Sequence, residues 1–240
     1  MSRTIVVGDV HGCYDELLAL VERVALKESD RVVCVGDLVV KGEKSREVLE
    51  LFMRDERFSS VIGNHDRALV EHWKGARAEL KPAQERCRAE LEDGRERYSA
   101  FLASLPTYID LGSHVVVHAG LRPGVALADQ SIEDLTELRT LGPDRTSRDG
   151  VAWYEVYDGD RIALFAHHQD WHILFPEGIV HVIGGIAGDP GDALRFQYPC
   201  QTLCCFDFHE TLSCLSQPLT HSRGHRNDAN PACSIHLATG

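Results

Sequence analysis

The sequence predicts an α/β fold built on a sheet of parallel strands, and three observations carry that prediction. Short β-branched runs alternate with amphipathic helical stretches. Each early run closes on a Gly-Asp or Gly-Asn turn. The 240 residues, 43% hydrophobic and 26% charged, suffice for one large domain with a real core. Thr4–Val7 ends at Gly8-Asp9, and the stretch after it, about Tyr14–Ala25, sets Leu17, Leu18, Val21 and Val24 on one helical face. Arg31–Val35 repeats the pattern and closes at Gly36-Asp37, with Ser45–Phe52 as the next helix. A short apolar pair, Val61-Ile62, is closed by Gly63-Asn64-His65-Asp66. This β-α-β-α-β order is the grammar of parallel strands joined by right-handed crossovers.

Residues from about Ala68 to Leu105 are charged and helix-friendly and include Glu71, Arg77, Glu79, Lys81, Glu85 and Arg88. They read as a helical cap or insertion over one edge, with the charge run as its solvated face. Strand patterns resume at His114–His118, Arg161–Phe165 and His181–Ile183, and Cys200–Phe206 reads as a last strand. The main domain is therefore expected over residues 1–215. Residues 216–240, rich in Ser, His, Asn, Gly and Pro, read as a polar, irregular tail.

Charge narrows the function classes. With 25 basic against 37 acidic residues the net charge is −12. That argues against nucleic-acid polymers and anionic membranes as partners, since both need a basic face. If the substrate is a phosphate, positive charge must come from bound metal and a few local cations. The early apolar run is too short for a signal-peptide core and no segment approaches a membrane span, so a cytoplasmic location is expected. Cys13, Cys34 and Cys87 are scattered, while Cys200, Cys204, Cys205, Cys214 and Cys233 match no standard zinc spacing. All eight read as reduced, partly buried thiols.

Five times an apolar strand runs into a turn carrying a potential metal ligand: Asp9 with His11, Asp37, Asn64 with His65, His118, and His167. Taken singly, each has a plain structural reading. A Gly-Asp after a strand is usually a turn, a histidine in an apolar strand is usually a satisfied core residue, and Asn in Gly-Asn-His is usually an Asx-turn residue. Together the five point to one constellation, because sheets with βα crossovers gather ligands beyond the carboxyl ends of their strands. Small Gly8, Gly36 and Gly63 allow the close approach this requires. Mixed carboxylate, imidazole and amide donors suit borderline divalent ions such as Mn²⁺, Fe²⁺, Co²⁺ or Zn²⁺. Two such ions can acidify a water in line with a phosphorus, and a nearby imidazole can protonate the leaving oxygen.

Gly8-Asp9-Val10-His11-Gly12, Gly36-Asp37-Leu38-Val39-Val40-Lys41-Gly42, Gly63-Asn64-His65-Asp66, Val117-His118-Ala119-Gly120-Leu121 and His167 resemble the calcineurin-like metallophosphoesterases. Within these the chain is most similar to the phosphoprotein phosphatase branch, which includes bacterial symmetrical diadenosine tetraphosphatases and ApaH-like phosphatases. The resemblance runs from about Thr4 to His167 and implies a central β-sandwich flanked by helices. It also implies a two-metal hydrolase of phosphate esters or anhydrides, with manganese the first choice and Co, Ni, Fe, Zn or Mg as alternatives. Asp9 and His11 would hold the first metal and Asp37 would bridge both. Asn64, His118 and His167 would hold the second, with His168 as the alternative to His167. His65 would be the general acid, and Lys41 and Arg139 would bind phosphate.

Two departures bear on the substrate. The family's Gly-Asp-x-x-Asp-Arg-Gly reads Val40-Lys41 at its fifth and sixth positions, so His65 lacks the aspartate that usually orients it. The same neutral-then-Lys-Gly pattern resembles the ApaH-like subgroup and favours a dinucleoside polyphosphate. A phosphoprotein substrate, for a serine/threonine or tyrosine phosphatase, is the alternative within enzymes. Late in the chain, Gly184-Gly185-Ile186-Ala187-Gly188 lacks the family's Asp-Thr pair. A reading of another class is a metal-binding scaffold whose catalytic site has decayed.

Overall fold

A computed structural model describes residues 2–166 together with the backbone of three strands, 172–175, 178–181 and 203–206. Its elements form two sheets. The first is parallel throughout: β1 (Thr4–Val7), β2 (Arg31–Cys34) and β3 (Phe58–Ser60), joined by α1 (Tyr14–Arg23) and α2 (Ser45–Arg54), with β9 (Leu203–Phe206) on the far edge. Their order is β3-β2-β1-β9. The second sheet runs β4 (Tyr108–Asp110), β5 (His114–Val117), β6 (Ile162–Phe165), β7 (His172–Phe175) and β8 (Gly178–His181) in order. In it only β5 and β6 pair in parallel.

Period-two alternation decides which face each side chain takes. Val6 and Val33 of the first sheet meet Val116 and Leu164 of the second in one buried cluster. The sheets therefore pack face to face as a sandwich. Their neighbours Ile5, Val7, Val32 and Cys34 point the other way, against Leu17, Leu20, Val48, Leu49 and Phe52 of α1 and α2. On the outer face of the second sheet, Val115, Val117, Ala163 and Phe165 pack under Leu135, Leu138 and Trp153. Here Leu135 belongs to α6 (Ile132–Glu137) and Trp153 opens a short 3₁₀ turn. Burying each such branched or aromatic side chain contributes about 1.5–3 kcal/mol.

The charged segment is helical, as expected, but begins earlier: α3 (Asn64–Trp73), α4 (Pro82–Leu91) and α5 (Arg95–Ser104). Leu69, Cys87, Leu91, Tyr98 and Leu102 of these helices join the same core as Ile5 and Val7. Other boundaries differ for local reasons. α1 stops at Arg23, short of Ala25, because Ala25 takes a left-handed φ of 46°. The third strand is Phe58–Ser60, upstream of Val61-Ile62: both are buried, but Ile62 N turns away to donate to Pro106 O at 2.9 Å. β8 includes His181 of the expected His181–Ile183, and residues 182 and 183 lie outside the described residues. The tail at 216–240 lies outside the described residues. Among the described residues, no helix is long and apolar enough to cross a membrane. Cys34 and Cys87 are buried free thiols.

Candidate metal centre

Three strand ends and one helix start meet at one end of the sandwich. The turn after β1 carries Asp9 and His11, the turn after β2 carries Asp37, and His118 follows β5 directly. Backbone bonds stitch the first two turns together: His11 N donates to Asp37 O at 2.7 Å, Gly12 N to Leu38 O at 2.9 Å and Gly42 N to His11 O at 2.7 Å. Asn64 and His65 open α3, and the His65 amide donates to Asp37 Oδ1 at 2.8 Å. A carboxylate at a helix N-terminus is a favourable pairing. It needs Gly63 as N-cap, since a Cβ there would lie 2.1 Å from Asp37 Oδ1 and 2.3 Å from Asp37 N.

The donor atoms fit a cation. One ligand atom from each of Asp9, Asp37 and His118 lies within 4.8 Å of the other two. His11 Nε2 stands 3.6 Å from Asp9 Oδ2 and 3.7 Å from Asp37 Oδ2, and His118 Nε2 is 3.6 Å from Asp37 Oδ2. Backbone carbonyls fix both imidazoles. His11 Nδ1 donates to Val39 O at 3.1 Å and His118 Nδ1 to Val35 O at 2.9 Å, which turns each Nε2 lone pair inward. His118 Nε2 thereby faces Asn64 Oδ1 at 3.0 Å, two lone pairs that call for a shared cation or proton. Asp9 Oδ1 is buried without a hydrogen-bond donor. An uncompensated buried carboxylate oxygen is costly in a protein interior unless something positive meets it.

Electrostatics tell the same story. Burial alone would raise the Asp37 pKa, yet His118, His65 and His11 together drive it well below the usual carboxylate range. Burial lowers the His11 pKa, but Asp9 and Asp37 outweigh it and leave the net shift upward. His65 goes the other way. Burial, reinforced by the charges of His11, Lys41 and His118, brings it down to about 4 against the pull of Asp37.

The turn after Asp37 is strained. Val40 and Lys41 take φ of 75° and 70°, the left-handed region that a β-branched residue rarely enters. Such positions cost on the order of 1–3 kcal/mol each and persist where the surroundings over-determine them. Here the fully buried Val40 side chain sits in the main core, and its N–H donates to Ser45 Oγ at 3.3 Å. The bend brings Lys41 Nζ to 2.7 Å from His11 Nε2. Burial lowers the Lys41 pKa. Arg139 is half-buried beyond α6, close enough for its charge to act on Lys41, and burial lowers its pKa too. Among the described residues no carboxylate pairs with it.

Asp9, His11, Asp37, Asn64, His65, Lys41 and His118 are thus brought together, and Arg139 borders them. His167 and His168 lie outside the described residues. Their neighbour Ala166 donates its N–H to His118 O at 2.9 Å. The sequence assigned no role to two further buried residues. Asp66 accepts from Gly63 N at 3.0 Å and Val39 N at 3.3 Å, clamping the strained turn to α3, and burial beside Asp37 pushes its pKa up to about 7. Gln84, from α4, places its amide nitrogen 3.5 Å from His65 Nδ1. The Gly-Asn-His-Asp string could have flagged Asp66. Nothing local could have flagged Gln84.

Sandwich and metal-fitted donor set together define the class, and the sequence family agrees: the chain matches the calcineurin-like phosphoesterase model over residues 2–195 and belongs to that family. Members of this family use divalent metal ions. Among curated relatives, the symmetrical bis(5'-nucleosyl)-tetraphosphatase of Neisseria meningitidis is 34% identical over 119 residues, 49% of this chain and 43% of that protein. The protein of the same name from Psychromonas ingrahamii is 30% identical over 172 residues, 65% of this chain and 60% of that protein. This chain spans about half the length of the curated relatives it matches. A crystal structure of a protein provisionally named a diadenosine tetraphosphatase superposes with a TM-score of 0.58 at 26% identity. It covers 78% of this chain and 99% of that one.

Proposed function

We propose that this chain is a two-metal phosphohydrolase of phosphoanhydrides that cuts diadenosine tetraphosphate symmetrically into two molecules of ADP. The observation that supports it best is the meeting of Asp9, Asp37 and His118 donor atoms beside Lys41, in a chain related to tetraphosphatases of that name. Asp9 and His11 would hold one divalent ion, Asn64, His118 and His167 the other, with Asp37 shared between them. Manganese is the first choice, with Co, Ni, Fe, Zn and Mg behind it. When bound, such a pair supplies Lewis acidity at the phosphoryl oxygens and a water acidic enough to attack near neutral pH.

The chain's own residues do the rest. His65, beside Asp37 and close to His11, supplies its proton to the leaving oxygen. Lys41 and Arg139 offset the phosphate charge, Lys41 as a point charge rather than a bidentate fork. The catalytic unit extends over residues 1–215, with α3–α5 as a cap, and works in the cytoplasm on a small-molecule substrate.

A panel of diadenosine tetraphosphate, p-nitrophenyl phosphate and a phosphopeptide, each with Mn²⁺, Co²⁺, Ni²⁺ and Mg²⁺, tests this on the purified chain. ADP as the only nucleotide product is expected. ATP with AMP would defeat symmetrical cleavage, and preferred turnover of the phosphopeptide would make the chain a protein phosphatase. A fully metallated chain inert to all three would be a scaffold.

A further inference from the structure

Cations collect beside the metal-fitted donors in a chain that is otherwise acidic, and two of them have no role yet. Lys81 is the N-cap residue of the cap helix α4. Its N–H donates to Gln84 Oε1 at 2.9 Å, and the buried Gln84 side chain reaches on to His65, with Nε2 3.5 Å from Nδ1. That ties an exposed lysine to the helix start carrying Asn64 and His65. Arg148 comes from the loop after α6, which folds back on Arg139. The Arg139 N–H donates to Arg145 O at 2.7 Å, Thr140 Oγ1 donates to Ser147 O at 3.3 Å, and a bridge between Thr140 and Ala152 closes the loop. Arg148 thus follows directly on the carbonyl that Thr140 holds, and it is exposed. The charges of Lys81 and Arg139 both act on Lys41, and that of Arg148 acts on Arg139.

The loop's remaining arginine shows what a structural cation does here. Arg145 joins Arg122 on Asp134, at 3.1 and 2.8 Å. Among the described residues no carboxylate pairs with Lys81, Arg139 or Arg148. With 37 acidic residues against 25 basic ones, like charges grouped without partners repel one another until an anion offsets them.

We propose that Lys81 and Arg148 form a subsite for the non-reacting phosphates of a linear polyphosphate, while Lys41 and Arg139 face the phosphoryl group that is cut. The proposal rests on the reading of the chain as a phosphoanhydride hydrolase and names what selects its substrate. Lys41 Nζ lies 2.7 Å from His11 Nε2, among the metal-fitted donors, whereas Lys81 and Arg148 connect to the site through Gln84 and Arg139. A phosphate monoester carries a charge of about −1.5 to −2, which the inner pair and the metals meet. Each further phosphate in a chain adds negative charge that only the outer pair is left to meet. Lysine's point charge and the guanidinium fork both suit phosphate oxygens, and exposed side chains can follow a flexible chain. The subsite reads charge and length, not the nucleoside.

The test removes each outer charge and leaves the inner pair in place. The full chain with Mn²⁺ is assayed on diadenosine tetraphosphate and p-nitrophenyl phosphate in wild type, Lys81→Gln, Arg148→Gln, the double variant and Lys27→Gln. Lys27 is exposed and precedes β2, at the end of the strands away from the site, so it controls for net charge. The tetraphosphate-to-monoester ratio of kcat/KM should fall about fivefold in each single variant and about tenfold or more in the double, the scale of exposed ion pairs. The loss should lie in KM, and the salt dependence of KM should flatten, since fewer charges remain to be screened. Calorimetric titration with methylene-bridged triphosphate, which resists hydrolysis and carries no nucleoside, gives a readout without turnover. The double variant should bind it about tenfold more weakly, with a smaller change for inorganic phosphate. A ratio unchanged within twofold in the double variant would overturn the proposal, as would an equal fall in Lys27→Gln or undiminished binding of the triphosphate. Wild type inert toward the tetraphosphate would defeat the proposed function instead, and the titration would still decide whether Lys81 and Arg148 hold phosphates.

Discussion

Gly63 and Gly120 both stand where a methyl group has no room, and the obstacles differ in kind. A Cβ on Gly63 would strike the carboxylate and backbone of Asp37, at 2.1 and 2.3 Å. On Gly120 it would strike the indole of Trp153 at 2.6 Å and the carbonyl of Leu138 at 2.9 Å. The first glycine lets the start of α3 close against the metal-fitted carboxylate. The second lets the outer layer settle on β5, where Trp153 Nε1 donates to Ala119 O at 3.1 Å. One region gives up stability for geometry, with Val40 and Lys41 in strained backbone. The other is ordinary close packing, where tight fit and low energy coincide.

That contrast can be broken or sharpened by mutation. The largest effect is expected at Asp37→Asn, which removes the carboxylate facing His11, His65 and His118. Turnover should fall on the order of 10³-fold or more, as for other residues that act as a unit, and metal content should drop. Mn²⁺ should raise the melting temperature of wild type, since a ligand that binds only the native state stabilises it, and should not raise that of Asp37→Asn. Equal metal content in the two proteins by elemental analysis would show that Asp37 is not a ligand. Next comes His65→Asn, for which rates should fall about 10²–10⁴-fold at unchanged metal content. A matching loss of metal would make His65 a ligand instead.

Gly63→Ala should cost about 10²-fold in turnover by displacing α3 from Asp37, measured per folded molecule after correction by circular dichroism. Gly120→Ala should do the reverse. Denaturant unfolding should show a loss of about 1–3 kcal/mol from overpacking, with the corrected rate within twofold of wild type. If both substitutions damaged rate and stability alike, the division between the two regions would be wrong.

What the sequence disclosed follows the same division. Asp9, His11, Asp37, Asn64 and His65 are legible because each lies in a short turn that carries a glycine, and the backbone geometry requires that glycine at Gly12, Gly36 and Gly63. His118 is legible as a candidate only in company, and in the structure its Nδ1 is satisfied by Val35 O while its Nε2 faces Asn64 Oδ1. The β-branched runs located β1 and β2 to within a residue. Val61-Ile62 misled because burial and strand pairing are separate properties, and the ladder pairs Ser59 and Ser60 with Val33 and Cys34 instead. The contact of Gln84 with His65 spans 19 residues and depends on how α4 packs, for which a sequence carries no short-range mark.

The parallel partner of β1 on its outer edge is β9, with Thr4 opposite Leu203 and Val7 opposite Phe206. Strand neighbours nearly two hundred positions apart impose an order on synthesis. While the ribosome is still making the chain, β2 can pair with one edge of β1, but the other edge, along Ile5, Val6 and Val7, waits for β9. Such an edge recruits stray strands from other nascent chains, so slow translation or an early stop would be expected to send this protein into aggregates before its chemistry is ever assembled.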